Sequence, residues 1–348
     1  MLATLYFGLT VVGIAATIVP YQDSPDFCTD FAVLMASRER TAALTQLPSV
    51  TTVVLNWNGL ADTRECLQSL RAAPYPDNRI VVVDNGSRED EASALEAEFG
   101  DLIEVIRLPE NRGFAGGANV GIARALELGT EYVLLLNNDT IVDPAFLTKL
   151  VEGAQKAPKL AAACPRTYFY GEPRTIYSTG GSVSLWRGVA TQIGRGELDE
   201  GQFDKRERRD YADGVCMLIP AAAIRKVGLL DEEYFAYWEE TDWCIRARNA
   251  GLRCYYIPQS RIWHKAARSR TPNAKFHYLY RRNALLFVRK RGTKLQLATA
   301  ITAQAFFYAP LYFIKNPTKI ARAGAEVRAL FWHAGRNGRN QPKQRPLV

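Results

Sequence analysis

The chain has 348 residues, of which 47% are hydrophobic and 23% are charged. This balance is that of a folded globular protein with extra apolar length, enough for one large α/β domain plus additions. The six cysteines are scattered without a Cys-x-x-Cys pair. Their spacing argues against a structural zinc site or a disulfide framework and favours reduced thiols in a cytosolic compartment.

The net charge of +8 is unevenly distributed. From Arg261 to the end there are 19 Lys and Arg residues against one acid, Glu326, whereas the first 260 residues carry a net charge of −10. We therefore expect the C-terminal quarter to face an anionic partner, for which nucleic acid and an anionic membrane surface are the two candidates.

Residues 1–20 carry no charged side chain and are long enough to cross a bilayer. They lack the basic start of a secretory signal, so cleavage is not favoured. The segment is interpreted as an uncleaved membrane anchor. A buried hydrophobic extension and residues upstream of the true start are the alternatives. A polar linker at 21–47 follows.

From residue 48 the pattern alternates between strands and helices. Short β-branched runs that end in turn residues predict strands, and apolar residues spaced three or four apart predict helices. The predicted elements are a strand at Val50–Leu55, a helix at 61–72, a strand at Arg79–Val83, a helix at 88–99, a strand at Leu102–Arg107, a helix at Gly113–Leu128 and a strand at Tyr132–Leu136. This alternation implies right-handed crossovers and a parallel sheet.

Three of the predicted strands end in polar turn residues. In parallel sheets, ligands collect beyond the C-terminal ends of the strands. Turn chemistry alone would explain any one of these endings, but three at the same edge favour a polar nucleotide site. The residues are Asn56, Trp57 and Asn58 after the first strand, Asp84 and Asn85 after the second, and Asn137, Asn138 and Asp139 after the fourth.

Asp139 is the candidate ligand for a metal ion. A carboxylate directly after a buried strand can hold Mg²⁺ or Mn²⁺, which would offset the charge of a diphosphate. A capping or turn role is the alternative. If Asp139 has a second protein ligand, His264 is the best candidate among the three histidines, although a packed or surface histidine is the alternative.

A glycine-rich segment, 113–119, opens the third helix. Its glycines would allow backbone N–H groups to approach a phosphate or ribose. The spacing is not that of a dinucleotide site, and a flexible loop is the alternative. The residues expected to line a nucleotide are Gly116, Gly117 and Asn119.

Three acids begin a predicted helix at Glu239–Ala250. Carboxylates this close raise one another's pKa, which suits a general base working near neutral pH. Glu239, Glu240 and Asp242 are therefore the catalytic candidates. Stabilisation of the helix N-terminus, or an Asp242–Arg246 ion pair, is the alternative.

The end of the chain is basic, aromatic and helical in pattern. After a strand at Cys254–Ile257, we interpret residues 273–335 as amphipathic and apolar helices that associate with a membrane, and 336–348 as a disordered tail. The catalytic domain is then expected at 48–272, with a nucleotide-binding half at 48–142 and an acceptor half at 143–272.

Seven segments, in this order, resemble the family 2 glycosyltransferases, and within them the rhamnosyltransferase-like branch. They are VVLNWN (53–58), VVVDNGS (81–87), NRGFAGGANVGI (111–122), LLLNNDT (134–140), ADGVCMLIP (212–220), GLLDEEYFAYWEETDWCIRARNAG (228–251) and IWHK (262–265). The resemblance implies a GT-A fold, with a mostly parallel twisted sheet flanked by helices. It also implies a nucleotide-sugar donor and inversion at the anomeric carbon.

The resemblance also implies roles for individual residues. Trp57, Asp84 and Asn85 would contact the base and ribose, and Asp139 with His264 would hold the metal. Asn137 stands where the family has the first acid of its DxD motif, so metal binding would depend more on Asp139. Glu240 stands where the base is usually Asp, which leaves open which of the three neighbouring acids acts.

The expected function is transfer of a sugar, with dTDP-rhamnose as the best candidate donor and a UDP-sugar such as galactofuranose or N-acetylglucosamine as the alternative. The acceptor would be a glycan or polyprenyl-linked hydroxyl at the cytoplasmic face of the cell membrane. A nucleotidyltransferase is disfavoured because no lysine lies near the first strand's turn. Nucleic-acid binding is disfavoured because the C-terminal aromatic residues lie in apolar stretches rather than on a polar stacking surface. A protein that binds a nucleotide sugar without catalysis is the third alternative.

Overall fold

The computed structural model describes residues 47–266, 274–308 and 310, with the backbone alone for 274–277. The expected anchor at 1–20, the linker up to residue 46 and the tail at 336–348 lie outside the described residues, as does most of the second half of 273–335.

The described strands are between 3 and 12 residues long. They are β1 Val50–Asn56, β2 Asn78–Asp84, β3 Ile103–Arg107, β4 Tyr132–Asn137, β5 Thr140–Val142, β6 Leu160–Phe169, β7 Glu172–Ser178, β8 Gly181–Ser184, β9 Val189–Gln192, β10 Glu207–Arg209, β11 Cys216–Pro220 and β12 Arg253–His264.

The described helices flank these strands. They are α1 Leu60–Arg71, α2 Glu91–Phe99, α3 Gly113–Glu127, α4 Phe146–Gln155, α5 Ala221–Val227, α6 Glu239–Asn249, α7 Ala274–Arg291 and α8 Lys294–Ala303, with 3₁₀ turns at Gly100–Leu102 and Glu232–Tyr234 and a π-helical turn at Gln304–Tyr308.

The main sheet has the order β10-β12-β6-β11-β4-β1-β2-β3. The first four strands are parallel, as predicted from their alternation with helices. The expectation of a mostly parallel sheet is wrong for the second half, because β11 runs antiparallel between β4 and β6. Cys216 at the start of β11 pairs with Leu136 near the end of β4, so the chain just before β11 lies at the C-terminal edge of the parallel strands.

Strand β12 is longer than predicted and joins two parts of the sheet. Beyond the predicted Cys254–Ile257 it passes an irregularity and continues to His264, parallel to β6 and antiparallel to β5. In this register His264 pairs with Thr140, the residue after Asp139. A long-range strand pairing therefore brings the two candidate metal ligands together.

Helix α7 packs against the loop before α6, so the apolar core continues past the domain boundary expected at 272. Leu285, Phe287 and Val288 are fully buried, in one apolar cluster with Tyr234 and Trp238. Its basic side chains are used internally as well. Lys290 pairs with Asp231 at 2.5 Å, and Arg291 pairs with Asp242 at 2.6 Å. A truncation after Pro272 would remove part of this core rather than release a membrane-binding segment.

Within the described part of the chain, no helix is both long enough and apolar enough to span a membrane. The five described cysteines are free and buried; Cys28 lies outside the described residues.

Candidate functional site

The polar ends of β1 and β2 form one buried network. Asn56 is fully buried, and its side-chain amide donates to Asp84 Oδ1 at 3.0 Å and to Glu91 Oε2 at 2.8 Å. Its Oδ1 accepts from Thr63 Oγ1 at 2.7 Å, and Thr63 in turn accepts from Asn138 Nδ2 at 2.8 Å. Residues from three strand ends are thus brought together at one edge, as the sequence predicted.

Trp57 and Asn58 differ in what they can offer a ligand. Trp57 is 44% exposed, so its ring face is available for stacking on a planar base. Asn58 has a positive φ of 49°, and its Oδ1 accepts from the backbone N–H of Arg88 at 2.9 Å. Asn58 therefore shapes the turn that presents Trp57.

The glycines of α3 are explained by packing. A Cβ on Gly117 would lie 2.5 Å from Leu55 Cδ1, and one on Gly116 would lie 2.8 Å from Arg112 Cβ. Both are buried; Gly117 lets α3 approach Leu55 of β1 closely, whereas Gly116 leaves room for the Arg112 side chain at the start of the helix. Packing therefore accounts for both glycines, and a contact of Gly116 and Gly117 with the nucleotide stays a prediction.

Asn85 and Asn119 also have internal partners. Asn85 donates to the carbonyl of Gly113 at 3.0 Å and accepts from the N–H of Arg112 at 3.0 Å, which fixes the start of α3. The Asn119 amide both donates to and accepts from the backbone of Leu230, at 3.0 and 2.9 Å. The Asn119 side chain therefore fixes the loop before Glu232, and a contact of Asn119 with a nucleotide stays a prediction.

Asp139 and His264 form a compact pair of potential metal ligands. His264 Nε2 lies 3.0 Å from Asp139 Oδ1, and both residues are buried. Two ligand atoms each about 2.1 Å from one ion, at a right angle, are about 3.0 Å apart, so the pair fits an octahedral cation. Within the described residues no group of three or more His, Cys, Asp or Glu residues could hold an ion, so the remaining ligands would be phosphate oxygens and water.

One ring nitrogen of His264 lacks a hydrogen-bond partner. Its Nδ1 is buried and has no hydrogen-bond partner among the described residues. The ring is in edge contact with Tyr177, with centroids 4.5 Å apart. Asn137 has a half-buried side chain at the same strand end and, as the sequence indicated, supplies no carboxylate.

The loop before α6 has an unusual backbone. Phe235, Tyr237 and Trp238 have backbone φ values of 66°, 70° and 78°, which residues other than glycine rarely adopt. Asn283 of α7 holds this loop, because its amide donates to the carbonyls of Tyr234, Ala236 and Tyr237, each at 2.8 Å. Such strain persists only where surrounding structure enforces it, and it is concentrated at functional sites.

Of the three acids in α6, Glu240 has the properties of a base. It is half-buried, and burial, followed by the charge of Asp213, raises its pKa to about 7. Glu239 is buried with Oε2 unpartnered among the described residues; burial and then the Glu240 charge raise its pKa well above the ordinary value. Asp242 is fully buried and accepts from Arg246, Arg291 and Tyr234. The geometry favours Glu240 over Asp242, whose oxygens are occupied.

Sequence reasoning missed the residues that lie between the proposed metal ligands, Asp139 and His264, and the candidate base Glu240. Gln192 donates to Asp213 Oδ2 at 2.6 Å and accepts from Arg195 Nη1 at 2.5 Å. The Arg195 guanidinium lies 4.4 Å from the centre of the Tyr177 ring, which contacts His264. Asp213 could have been found from its position before a buried strand, in Ala212-Asp213-Gly214. Nothing in the local pattern marks the other three.

A family model described as glycosyl transferase family 2 matches residues 51–232, just over half of the chain. The matched range includes Asp139 and Asp213, whereas Glu240 and His264 lie beyond it. Among curated proteins, the chain is 25% identical over 257 residues to the dTDP-rhamnosyl transferase RfbF of Shigella flexneri, covering 69% of this chain and 81% of that protein.

Two other relatives are matched over less of their length. The chain is 27% identical to the low-salt glycan biosynthesis hexosyltransferase Agl10 of Haloferax volcanii, covering 60% of this chain and 64% of that protein. It is 28% identical to the poly-β-1,6-N-acetyl-D-glucosamine synthase of Staphylococcus epidermidis, covering 63% of this chain and half of that protein's length.

Solved structures share the fold at low identity. The mannosyltransferase PcManGT from Pyrobaculum calidifontis, solved with GDP-Man and Mn²⁺, superimposes with a TM-score of 0.53 at 15% identity, covering 88% of this chain and 95% of that one. TarS of S. aureus gives a TM-score of 0.51 at 16% identity, covering 81% of this chain and 49% of that one.

Proposed function

Since the chain belongs to glycosyl transferase family 2, with an α/β GT-A-like fold and a mixed sheet, we propose that it transfers a sugar from a nucleotide diphosphate to an acceptor hydroxyl with inversion. The observation that carries the proposal is Glu240, a half-buried carboxyl whose pKa is raised to about 7. Its side chain lies against Gly214, and the carbonyl of the next residue, Val215, accepts from the backbone N–H of Asn137 at the end of β4. A carboxylate with that pKa is half deprotonated near pH 7 and can accept the proton of a hydroxyl.

The donor would lie along the C-terminal edge of the parallel strands. Trp57 stacks on the base, and Asp84, whose side chain is 7% exposed beside Asn56, contacts the ribose. A divalent cation, Mg²⁺ or Mn²⁺, would be held by Asp139 and His264 and would supply charge neutralisation for the departing diphosphate. In support, PcManGT was solved with both a nucleotide sugar and Mn²⁺.

Glu240 acts on the acceptor. It removes the proton of the acceptor hydroxyl as that oxygen attacks the anomeric carbon from the face opposite the diphosphate. The bond from carbon to the diphosphate oxygen breaks as the new glycosidic bond forms, so the configuration inverts in one step. Burial and the charge of Asp213 raise the pKa of Glu240 to about 7, which makes its carboxylate a strong enough base to accept the proton.

We propose dTDP-rhamnose as the donor and a cell-surface polysaccharide precursor as the product. The likeness to RfbF supports this donor. UDP-N-acetylglucosamine is the second candidate, supported by the likeness to the staphylococcal synthase. The basic C-terminal quarter and the apolar residues 1–20 support action at the cytoplasmic face of the cell membrane.

The experiment is a panel of nucleotide sugars, scored for release of nucleoside diphosphate with Mn²⁺ or Mg²⁺. One donor is expected to be turned over by the wild-type chain, and Glu240→Gln should bind that donor with unchanged affinity while turnover falls by about 10²-fold or more. Turnover by Glu240→Gln at the wild-type rate would assign the base to another residue. Absence of turnover and of nucleotide binding across the panel would refute the proposed function.

A further inference from the structure

A cavity of about 320 Å³ lies between the β8–β9 hairpin, α7 and the π-helical turn. Its lining comprises residues 187–191, Tyr280, Arg281 and Tyr308. Gln304 fixes one side, since its amide donates to the carbonyl of Gly188 at 3.0 Å and its oxygen accepts from Arg281 Nη1 at 3.0 Å. The size is at the lower end of the range for sites that bind small molecules.

The lining has the chemistry of an anion site. Arg187 and Arg281 are the charged residues among the lining side chains, and these include no carboxylate. Arginine binds phosphate oxygens through paired N–H donors, and tyrosine hydroxyls can donate to the same oxygens. A phosphate is therefore the ligand group that this set of donors fits.

Tyr280 forms a shared wall between the cavity and the proposed base. Its ring lies 6.0 Å from that of Tyr237 and 5.9 Å from that of Trp238, the two residues that precede α6. Burial raises the pKa of the Tyr280 hydroxyl, and the nearby Glu240 charge raises it further. Tyr280 is therefore the lining residue through which the cavity adjoins the loop that leads into α6.

Large apolar side chains of α8 and the π-helical turn are exposed. Phe306, Phe307 and Leu295 are 79%, 71% and 63% exposed. Phe307 lies in edge contact with Tyr308, a lining residue, with centroids 6.2 Å apart. Exposed apolar side chains next to a phosphate site fit an amphiphile whose phosphate enters the cavity and whose chain lies on these rings.

From these contacts we propose that the cavity lined by Arg187, Tyr280 and Arg281 binds the phosphate of a lipid-linked acceptor and directs the acceptor's hydroxyl to Glu240. The inference rests on the proposed function, because it assigns the acceptor's class. It also gives Tyr280 a role as a wall that positions the acceptor.

The test is calorimetric titration of the full chain with farnesyl diphosphate, alongside farnesol and inorganic pyrophosphate. Arg187→Ala is the main variant, because no hydrogen bond of its side chain supports the described fold. Arg281→Lys keeps the positive charge of the lining, and Arg225→Ala, at an exposed position on α5, is the matched control. Binding of nucleoside diphosphate with Mn²⁺ is measured in the same samples.

Farnesyl diphosphate should bind more tightly than farnesol or pyrophosphate. Arg187→Ala should weaken it about tenfold, Arg281→Lys should weaken it less, and Arg225→Ala should leave it unchanged. Equal affinity in Arg187→Ala and the wild type would overturn the proposal. A second result would also overturn the proposal: binding of the chain to phosphatidylglycerol vesicles that depends on Arg187 and that farnesyl diphosphate does not compete. The cavity would then bind membrane headgroups rather than the acceptor. Loss of nucleotide binding in the wild type would instead refute the proposed function.

Discussion

The charge of Asp213 should control the pH at which the enzyme works. Burial and this charge raise the pKa of Glu240 to about 7, so the base is deprotonated as pH rises through 7. Asp213→Asn removes the charge while its remaining oxygen can still accept from the Val215 N–H, now 3.1 Å away. Because a negative neighbour disfavours a second negative charge, its removal must lower the pKa of Glu240 and move the rising limb of the rate to lower pH.

The size of the effect follows from simple titration. With a pKa of about 7, Glu240 is about 10% deprotonated at pH 6 and about 90% at pH 8, so kcat/KM should rise about ninefold between them. Because burial is the larger cause, the charge of Asp213 is assigned about one pKa unit of the increase, which is worth about 1.4 kcal/mol. Losing it would bring the midpoint to about pH 6 and cut the rise from pH 6 to pH 8 to about twofold. Burial, the larger cause, remains in the variant.

The assay is kcat/KM for nucleoside diphosphate release at pH 6, 7 and 8, with the donor that the panel identifies. Asp101→Asn, in the Gly100–Leu102 turn, is the matched control and should keep the ninefold rise. An unchanged pH profile in Asp213→Asn would refute the assignment of Glu240 as the base under the influence of Asp213. A shift to higher pH would contradict the sign of the electrostatic argument.

Three further predictions test other parts of the structure. Asp139→Ala should abolish the thermal stabilisation that Mn²⁺ adds to nucleoside diphosphate binding, worth about 2.7 kcal/mol at a hundredfold excess over Kd; retained Mn²⁺ dependence would remove Asp139 from the metal site. Asn283→Leu should lower the free energy of unfolding, measured in urea, by about 3 kcal/mol or more, because three loop carbonyls lose their hydrogen-bond donor. Asn249→Leu, at an exposed position, is the control. Equal stability of the two variants would contradict this prediction. A chain ending after Pro272 should aggregate, because it lacks the buried Phe287, and a folded, soluble fragment would show that α7 is dispensable.

The nucleotide-binding half was largely predictable because its signals are local. Short β-branched runs that end in turn residues identified strands β1 to β4, and apolar residues three or four apart identified the helices between them, with boundaries within a few residues. The polar turns after β1, β2 and β4 lie at one edge because parallel strands end on the same side. The pairing of Asp139 with His264 was also proposed, from the family resemblance, and the β5–β12 register brings the two within 3.0 Å.

Other residues have packing roles that the sequence did not reveal, because the same local pattern can serve different structural purposes. Gly116 and Gly117 have the composition of a phosphate-binding loop, yet the space against Leu55 and Arg112 requires them. The basic, aromatic pattern of α7 is typical of a membrane surface. Its partners Asp231 and Asp242 lie about 50 residues earlier, where no periodicity can reveal them.

The sequence by itself determined the family, the parallel half of the sheet and the identity of the candidate acids, since composition and spacing are properties of neighbouring residues. Only the tertiary structure distinguished the surroundings of the three acids. The pKa of Glu240 depends on burial and on Asp213, and the oxygens of Asp242 are occupied by arginines from two helices. Burial and long-range charge exist only once the chain has folded, so no reading of adjacent residues supplies them.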